Sequence, residues 1–145
     1  MYYCNMIGQF SLRGKWIVGT MADLRMGNRF VVQEHTTPEG VHWDLMVERG
    51  QVLTTFRLAE SPENVIRHAV EAARIFDHAL RFLTYEGPVQ KGTGNVRIVE
   101  RGDYSAFDER DDAIALELHG TILQGRFSLT RIEAAQWRLA QAEAG

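Results

Sequence analysis

Three side chains between Arg29 and Arg49 are of the types that hold a divalent metal ion. In Val41-His42-Trp43-Asp44-Leu45-Met46-Val47 the period of an extended strand puts His42, Asp44 and Met46 on one face and Trp43, Leu45 and Val47 on the other. An imidazole and a carboxylate two residues apart then point the same way and can share one cation. His35 ends the preceding strand and joins them if Thr36 to Gly40 folds into a hairpin, for which Pro38 and Gly40 are suited. Two imidazoles and one carboxylate make a three-point site with open positions. Such a site suits Mn²⁺, Fe²⁺ or Zn²⁺ rather than Ca²⁺ or an all-oxygen Mg²⁺ cage. On spacing alone a second reading stays open, in which these are surface or hydrogen-bonded histidines.

The elements that must position these groups are short strands. Runs of strand character cover Phe30 to His35, Val41 to Glu48, Val52 to Leu58, Asn95 to Arg101, Ala113 to Leu118, Thr121 to Leu123, Arg126 to Arg131 and Trp137 to Leu139. Arg49-Gly50, Arg101-Gly102, His119-Gly120 and Gln124-Gly125 punctuate them. Strands this short and evenly spaced favour a sandwich or small barrel. One stretch differs: Ser61-Pro62 offers an N-cap and a first-turn proline, and Val65, Ile66, Ala69, Val70 and Ala73 recur at helical spacing. The expected fold is therefore mainly β, a compact small β-barrel with about one flanking α-helix around residues 62–74. Asp108 to Asp112 reads as a solvated turn.

The 145 residues suit one domain. Residues 1–28 lack sustained patterning and are expected to be an N-terminal extension outside the core, with Met26 an alternative start; residues 29–145 form the single domain. Cys4 is the only cysteine, so an internal disulfide and a cysteine-rich zinc site are excluded. No run approaches the roughly 18 apolar residues of a membrane-spanning helix, and the N-terminal segment lacks an unbroken apolar stretch of the secretory kind. The expected location is the cytoplasm, with no membrane partner. Net charge is −3. Arg13, Lys15 and Arg25 against Asp23 leave −5 for the chain after residue 28. A protein that coats duplex DNA needs a basic track and is not expected here.

Two families share pieces of this pattern. His42-Trp43-Asp44, His119 and Arg126-Phe127-Ser128 follow the H-x-D…H…R-x-S order of iron- and 2-oxoglutarate-dependent oxygenases. That likeness is thin, because His119-Gly120 reads as a hairpin turn and the arginine follows the histidine too closely. A fuller match joins Arg29-Phe30-Val31-Val32-Gln33-Glu34-His35, Val41-His42-Trp43-Asp44, Asp77-His78 and Tyr85-Glu86-Gly87-Pro88-Val89. It continues through Glu100-Arg101-Gly102-Asp103-Tyr104, Leu118-His119-Gly120 and Leu123 to Leu129. Together these resemble the 3′-phosphoesterase domain of bacterial DNA ligase D, in order, from Arg29 to about Leu139.

The resemblance implies a β-barrel that acts on the 3′ ends of DNA or RNA with manganese, trimming a terminal 3′-phosphate or 3′-ribonucleotide. A DNA ligase or polymerase would then use the healed primer–template end. By position, it makes His35, His42 and Asp44 the metal ligands and directs His78 to the scissile phosphate. The chemistry agrees, since a cation held by neutral imidazoles and one carboxylate stays net positive and can polarise phosphate oxygens. His78 can donate to the phosphate or protonate the leaving oxygen.

This chain also departs from the family. Met46 stands where the family has a phosphate-binding arginine, Phe76 replaces an acidic residue and Phe82 a tyrosine, and the glycine-rich stretch after Gly87 is shorter. A bidentate arginine is among the strongest phosphate contacts. Arg57, Arg81, Lys91 and Arg126 are candidates to replace it, and Arg57 is favoured because its strand should pair with that of His42 and Asp44. Arg57 thus joins His78 as an expected catalytic residue, with Arg81 and Lys91 as further phosphate contacts. Two functions follow: a manganese-dependent 3′-phosphoesterase of DNA repair, or a catalytically degenerate end-binding or protein-docking module of the same fold. Trp43, Phe56, Phe127 and Trp137 are expected in the core.

Overall fold

The computed structural model describes residues 28–89 and 94–142. The expected extension over residues 1–28, apart from Asn28, lies outside these, as does Lys91.

Among the described residues, nine strands and one short helix follow in order. They are β1 (Arg29–Thr37), β2 (Gly40–Arg49), β3 (Val52–Leu58), α1 (Pro62–Val65), β4 (Val70–Ala79), β5 (Gly87–Pro88), β6 (Asn95–Arg110), β7 (Ala113–His119), β8 (Gln124–Glu133) and β9 (Gln136–Gln141). A single 3₁₀ turn, Leu80–Leu83, links β4 towards β5. The strands hydrogen-bond in the order β1-β2-β3-β4-β9-β8-β7-β6-β5, and β1 also pairs with β6. That last pairing closes β1 onto β6, leaving the short β5 beside β6, and gives ring-like, barrel-like bonding as expected. All the strand pairings are antiparallel. No helix among the described residues is long and apolar enough to cross a membrane.

Side-chain alternation divides the molecule in two. Phe30 and Val32 of β1, Leu45 and Val47 of β2, and Phe56 and Leu58 of β3 join Leu116, Phe127, Leu129, Trp137 and Leu139 in the main core. Trp43 packs against it, partly buried. The intervening residues point the other way. There Val31, Met46, Leu53 and Leu83 form a smaller cluster under Leu80 and Phe82, so the 3₁₀ turn roofs the second face. Register places Gln33 opposite Asp44 and His35 opposite His42, and Asp44 opposite Arg57. The polar residues of interest therefore share the face that the 3₁₀ turn covers.

Three expected elements are corrected. The helix expected over 62–74 stops at Val65, and residues from Val70 onward form β4. Val70 and Ala72 enter the core by strand alternation and pair with Leu139 and Trp137 of β9. A longer helix would leave the edges of β3 and β9 unpaired, at several hydrogen bonds' cost. Thr121 to Leu123 is a bend rather than a strand. The buried Glu100 carboxylate accepts the backbone N–H groups of Thr121, Ile122 and Leu123 at 3.0, 2.6 and 2.7 Å, so no neighbouring strand is needed. The expected turn at Asp108 to Asp112 narrows to Asp111-Asp112, because β6 runs on to Arg110.

Candidate metal and phosphate site

The β1–β2 hairpin brings His35 and His42 together edge-on, with ring centroids 4.6 Å apart. His35 Nδ1 lies 2.9 Å from His42 Nε2, and His42 Nε2 lies 3.7 Å from Asp44 Oδ2. One donor atom from each residue falls within 4.8 Å of the others. Metal–nitrogen and metal–oxygen bonds are about 2.0–2.2 Å, which sets neighbouring donors about 3 Å apart. His35 and His42 have that spacing, and the Asp44 carboxylate stands slightly further out.

Burial sharpens the case. Asp44 is 3% exposed, and a buried carboxylate is costly unless cations or donors face it. Arg57 supplies one, with Nε 3.1 Å from Asp44 Oδ1, and the other oxygen faces the histidines. His35 Nε2 is buried with no hydrogen-bond partner among the described residues. Gly94 closes over it: at φ +144°, a Cβ there would lie 2.6 Å from that nitrogen and 2.5 Å from the Thr36 carbonyl oxygen. Burial holds the His42 imidazole below its ordinary value. Asp44 opposes this, while Arg57 and His35 reinforce it. A neutral ring keeps the lone pair a cation needs, so the donor set and its protonation both fit a divalent transition metal.

His78 stands on the same face, opposite Leu53 in the β3–β4 register. The Thr55 hydroxyl donates its one proton to the Leu53 carbonyl at 3.0 Å. Its oxygen is therefore left to accept from His78 Nδ1, 2.8 Å away, which leaves Nε2 as the free nitrogen of the neutral ring. Burial lowers the His78 pKa, with Arg57 adding to the effect and Asp44, the Phe76 backbone and Asp77 opposing it. A cavity of about 520 Å³ lies over these groups, its lining including His35, Asp44, Met46, Arg57, His78 and Arg81.

The sequence candidates thus separate. His35, His42, Asp44, Arg57 and His78 come together. Arg81 lines the cavity but rests on aromatic rings, 4.4 Å from the Phe82 centroid. Arg126 lies over Phe107 instead, at 4.4 Å, and His119 ends β7 opposite Asp103 and Gln124, outside the trio. The oxygenase arrangement is therefore not formed. Two contributors escaped the sequence reading. Gln33, 1% exposed, donates to the Phe82 and Tyr85 carbonyls at 2.9 and 3.0 Å and ties the roof to β1. Thr55 orients His78. Both share the strand parity of a site residue, Gln33 with His35 and Thr55 with Arg57, and that parity was the signal available.

Comparison with known proteins meets this geometry. The profile of the DNA Ligase D 3′-phosphoesterase domain matches residues 33–131. The chain belongs to this family. A relative from Mycobacterium bovis, the multifunctional non-homologous end joining protein LigD, is 32% identical over 120 residues, covering 77% of this chain and 15% of its own length. The LigD of Mycolicibacterium smegmatis is 30% identical over 125 residues, covering 76% of this chain and 16% of the relative. The chain thus spans a small part of the curated relatives it matches. The 3′-phosphoesterase family match takes in His35, His42, Asp44, Arg57 and His78 alike.

Proposed function

We propose that residues 29–145 form one metal-dependent phosphoesterase domain that heals nucleic-acid 3′ ends in DNA repair, removing a terminal 3′-phosphate or 3′-ribonucleotide. The observation that carries this reading is the meeting of His35, His42 and Asp44 beside a cavity that His35, Asp44, His78 and Arg57 line. The trio would hold the metal, with Mn²⁺ the expected ion and other divalent transition metals acceptable to the same donors. When bound, the ion supplies positive charge for the non-bridging phosphate oxygens.

The protein's own groups do the rest. Arg57, fixed by Asp44 and 39% exposed at its side chain, turns its remaining N–H groups to the cavity and takes the part of the family arginine replaced by Met46. Arg81 adds charge at the roof, and Lys91 remains a proposed phosphate contact beyond the described residues. Hydrolysis breaks the bond between phosphorus and the 3′ oxygen as water adds to phosphorus and sheds one proton to solvent, from which His78 is reprotonated. Protonated His78, donating from Nε2, gives its proton to the leaving oxygen. The product is a 3′-hydroxyl end, which a DNA ligase or polymerase can use.

A second reading has one specific observation behind it. Met46, 1% exposed, lines the cavity where a phosphate-binding side chain is expected, which favours a non-catalytic end-binding or docking module. Incubating the purified protein with Mn²⁺ and a 3′-phosphorylated primer–template separates the two. Phosphate release by the wild type, lost in Asp44→Ala and on chelation, is the expected result. Binding of the end with no phosphate or ribonucleotide released would overturn the enzymatic reading and leave the module.

A further inference from the structure

Phe76 is exposed to 71%, more than any other large apolar side chain described, and it lines the cavity beside His78. Single exposed apolar residues are common, but this one has a built setting. Leu53 faces His78 and Thr55 faces Ile75, so Phe76 and Asp77 together oppose Thr54 alone. This is a β-bulge, a device that re-aims side chains beside functional sites. It sets the Phe76 ring against the His78 ring with centroids 4.8 Å apart and planes 21° from parallel. Phe82 meets His78 edge-on at 5.6 Å, and Tyr85 meets Phe82 in the same way at 5.6 Å. One side of the site is thus an aromatic wall, and Phe76 keeps most of its surface open to solvent.

We propose that Phe76 is the stacking platform for the nucleobase of the 3′-terminal nucleotide, so that the site recognises an end by its base as well as by its phosphate. The proposal rests on the reading of this site as one that takes nucleic-acid 3′ ends. A nucleotide joins an anionic phosphate to a flat ring through one sugar. A pocket that holds the phosphate at His78 and Arg57 therefore meets the base at the neighbouring wall. Charge leaves room for this contribution, because a chain of net charge −3 has little basic surface with which to grip a long backbone. Stacking tolerates any sequence, since every base has a π-face, and its loss weakens binding by about 5-fold to 100-fold per base.

The test uses fluorescent single-stranded oligonucleotides ending in a 3′-methylenephosphonate, which keeps the anionic end and resists hydrolysis. One carries an ordinary terminal nucleoside and the other an abasic terminal sugar. Affinities are read by anisotropy with Mn²⁺ present. Wild-type protein should prefer the base-bearing end by about 5-fold to 100-fold; Phe76→Leu should erase the preference, and Phe76→Trp should retain it. Equal affinity of the wild type for both ends overturns the platform and leaves the phosphoesterase reading intact, because phosphate release is measured separately. Self-association of the wild type that Phe76→Leu abolishes, with no base preference, assigns the ring to a protein contact and also overturns it. Failure to bind either end overturns the 3′-end reading together with the platform.

Discussion

At the scale of single residues, Thr55 decides which nitrogen of the neutral His78 ring is left for the cavity. With Nδ1–H held by the Thr55 oxygen at 2.8 Å, the neutral ring turns a lone pair on Nε2 to the cavity, and a lone pair repels phosphate oxygens. Protonation converts Nε2 into a donor. Burial keeps the His78 pKa below its ordinary 6.5, so the ring is mostly neutral at pH 7.5 and binding a phosphate end must take up a proton. Metal-free affinity for a 3′-phosphorylated oligonucleotide should therefore rise as pH falls from 7.5 through that lowered value, by up to about 10-fold per pH unit from this residue. His78→Gln should remove that part of the slope; identical pH profiles for the two proteins would refute the assignment. His35, His42 and Asp44 were legible because strand parity and a hairpin suffice to bring them together. Thr55 and Gln33 were not, since each acts through a hydrogen bond to a distant partner that no local spacing encodes.

Elements bring in forces that periodicity does not carry. The segment from Val65 to Ala73 fits helical spacing, yet the ring needs β4 as a bridge between β3 and β9, and closing a ladder outweighs a weak helical preference in Val and Ile. Glu100 shows the reverse case, a side chain standing in for a strand. It is 4% exposed and serves the amides of Arg101, Thr121, Ile122 and Leu123. Gly102, beside it, leaves no room for a side chain: a Cβ would lie 2.2 Å from the His119 carbonyl oxygen. The Glu-Arg-Gly and His-Gly pieces of the family pattern thus belong to one structural joint between β6 and the bend after β7. Glu100→Ala, which strands several buried donors, should cost about 3 kcal/mol in urea denaturation. A loss below about 0.5 kcal/mol would mean that water serves these amides and that the carboxylate is not the joint.

For the whole molecule, ring-like bonding assigns the two sides of the sheet to different tasks, apolar packing on one and the candidate site on the other. The mainly β character and the site face could be read from alternation. The closure of β1 on β6 could not, because a pairing between residues separated by 59 to 74 positions leaves no local trace. Charge sets the expected mode of binding. A chain of net charge −3 that holds only a terminus should neutralise one or two phosphates. The logarithm of its affinity for single strands against the logarithm of salt should then have a slope of about −0.7 to −1.4. A slope of −4 or steeper would mean a long backbone track and would contradict end recognition.

The ring is also unevenly sealed. β9 pairs with β4 only from Val70 to Ala73, while β3 accompanies β4 as far as Ala79. Beyond the Arg74 amide, which donates to the Ala135 carbonyl at 2.8 Å, the outer edge of the strand has no ladder partner among the described residues. Such a lip opens by small local excursions, whereas the fully laddered β8 moves only when the whole protein unfolds. Amide deuteration should therefore run ahead along Ile75 to Ala79, the stretch whose yielding disturbs the rest least.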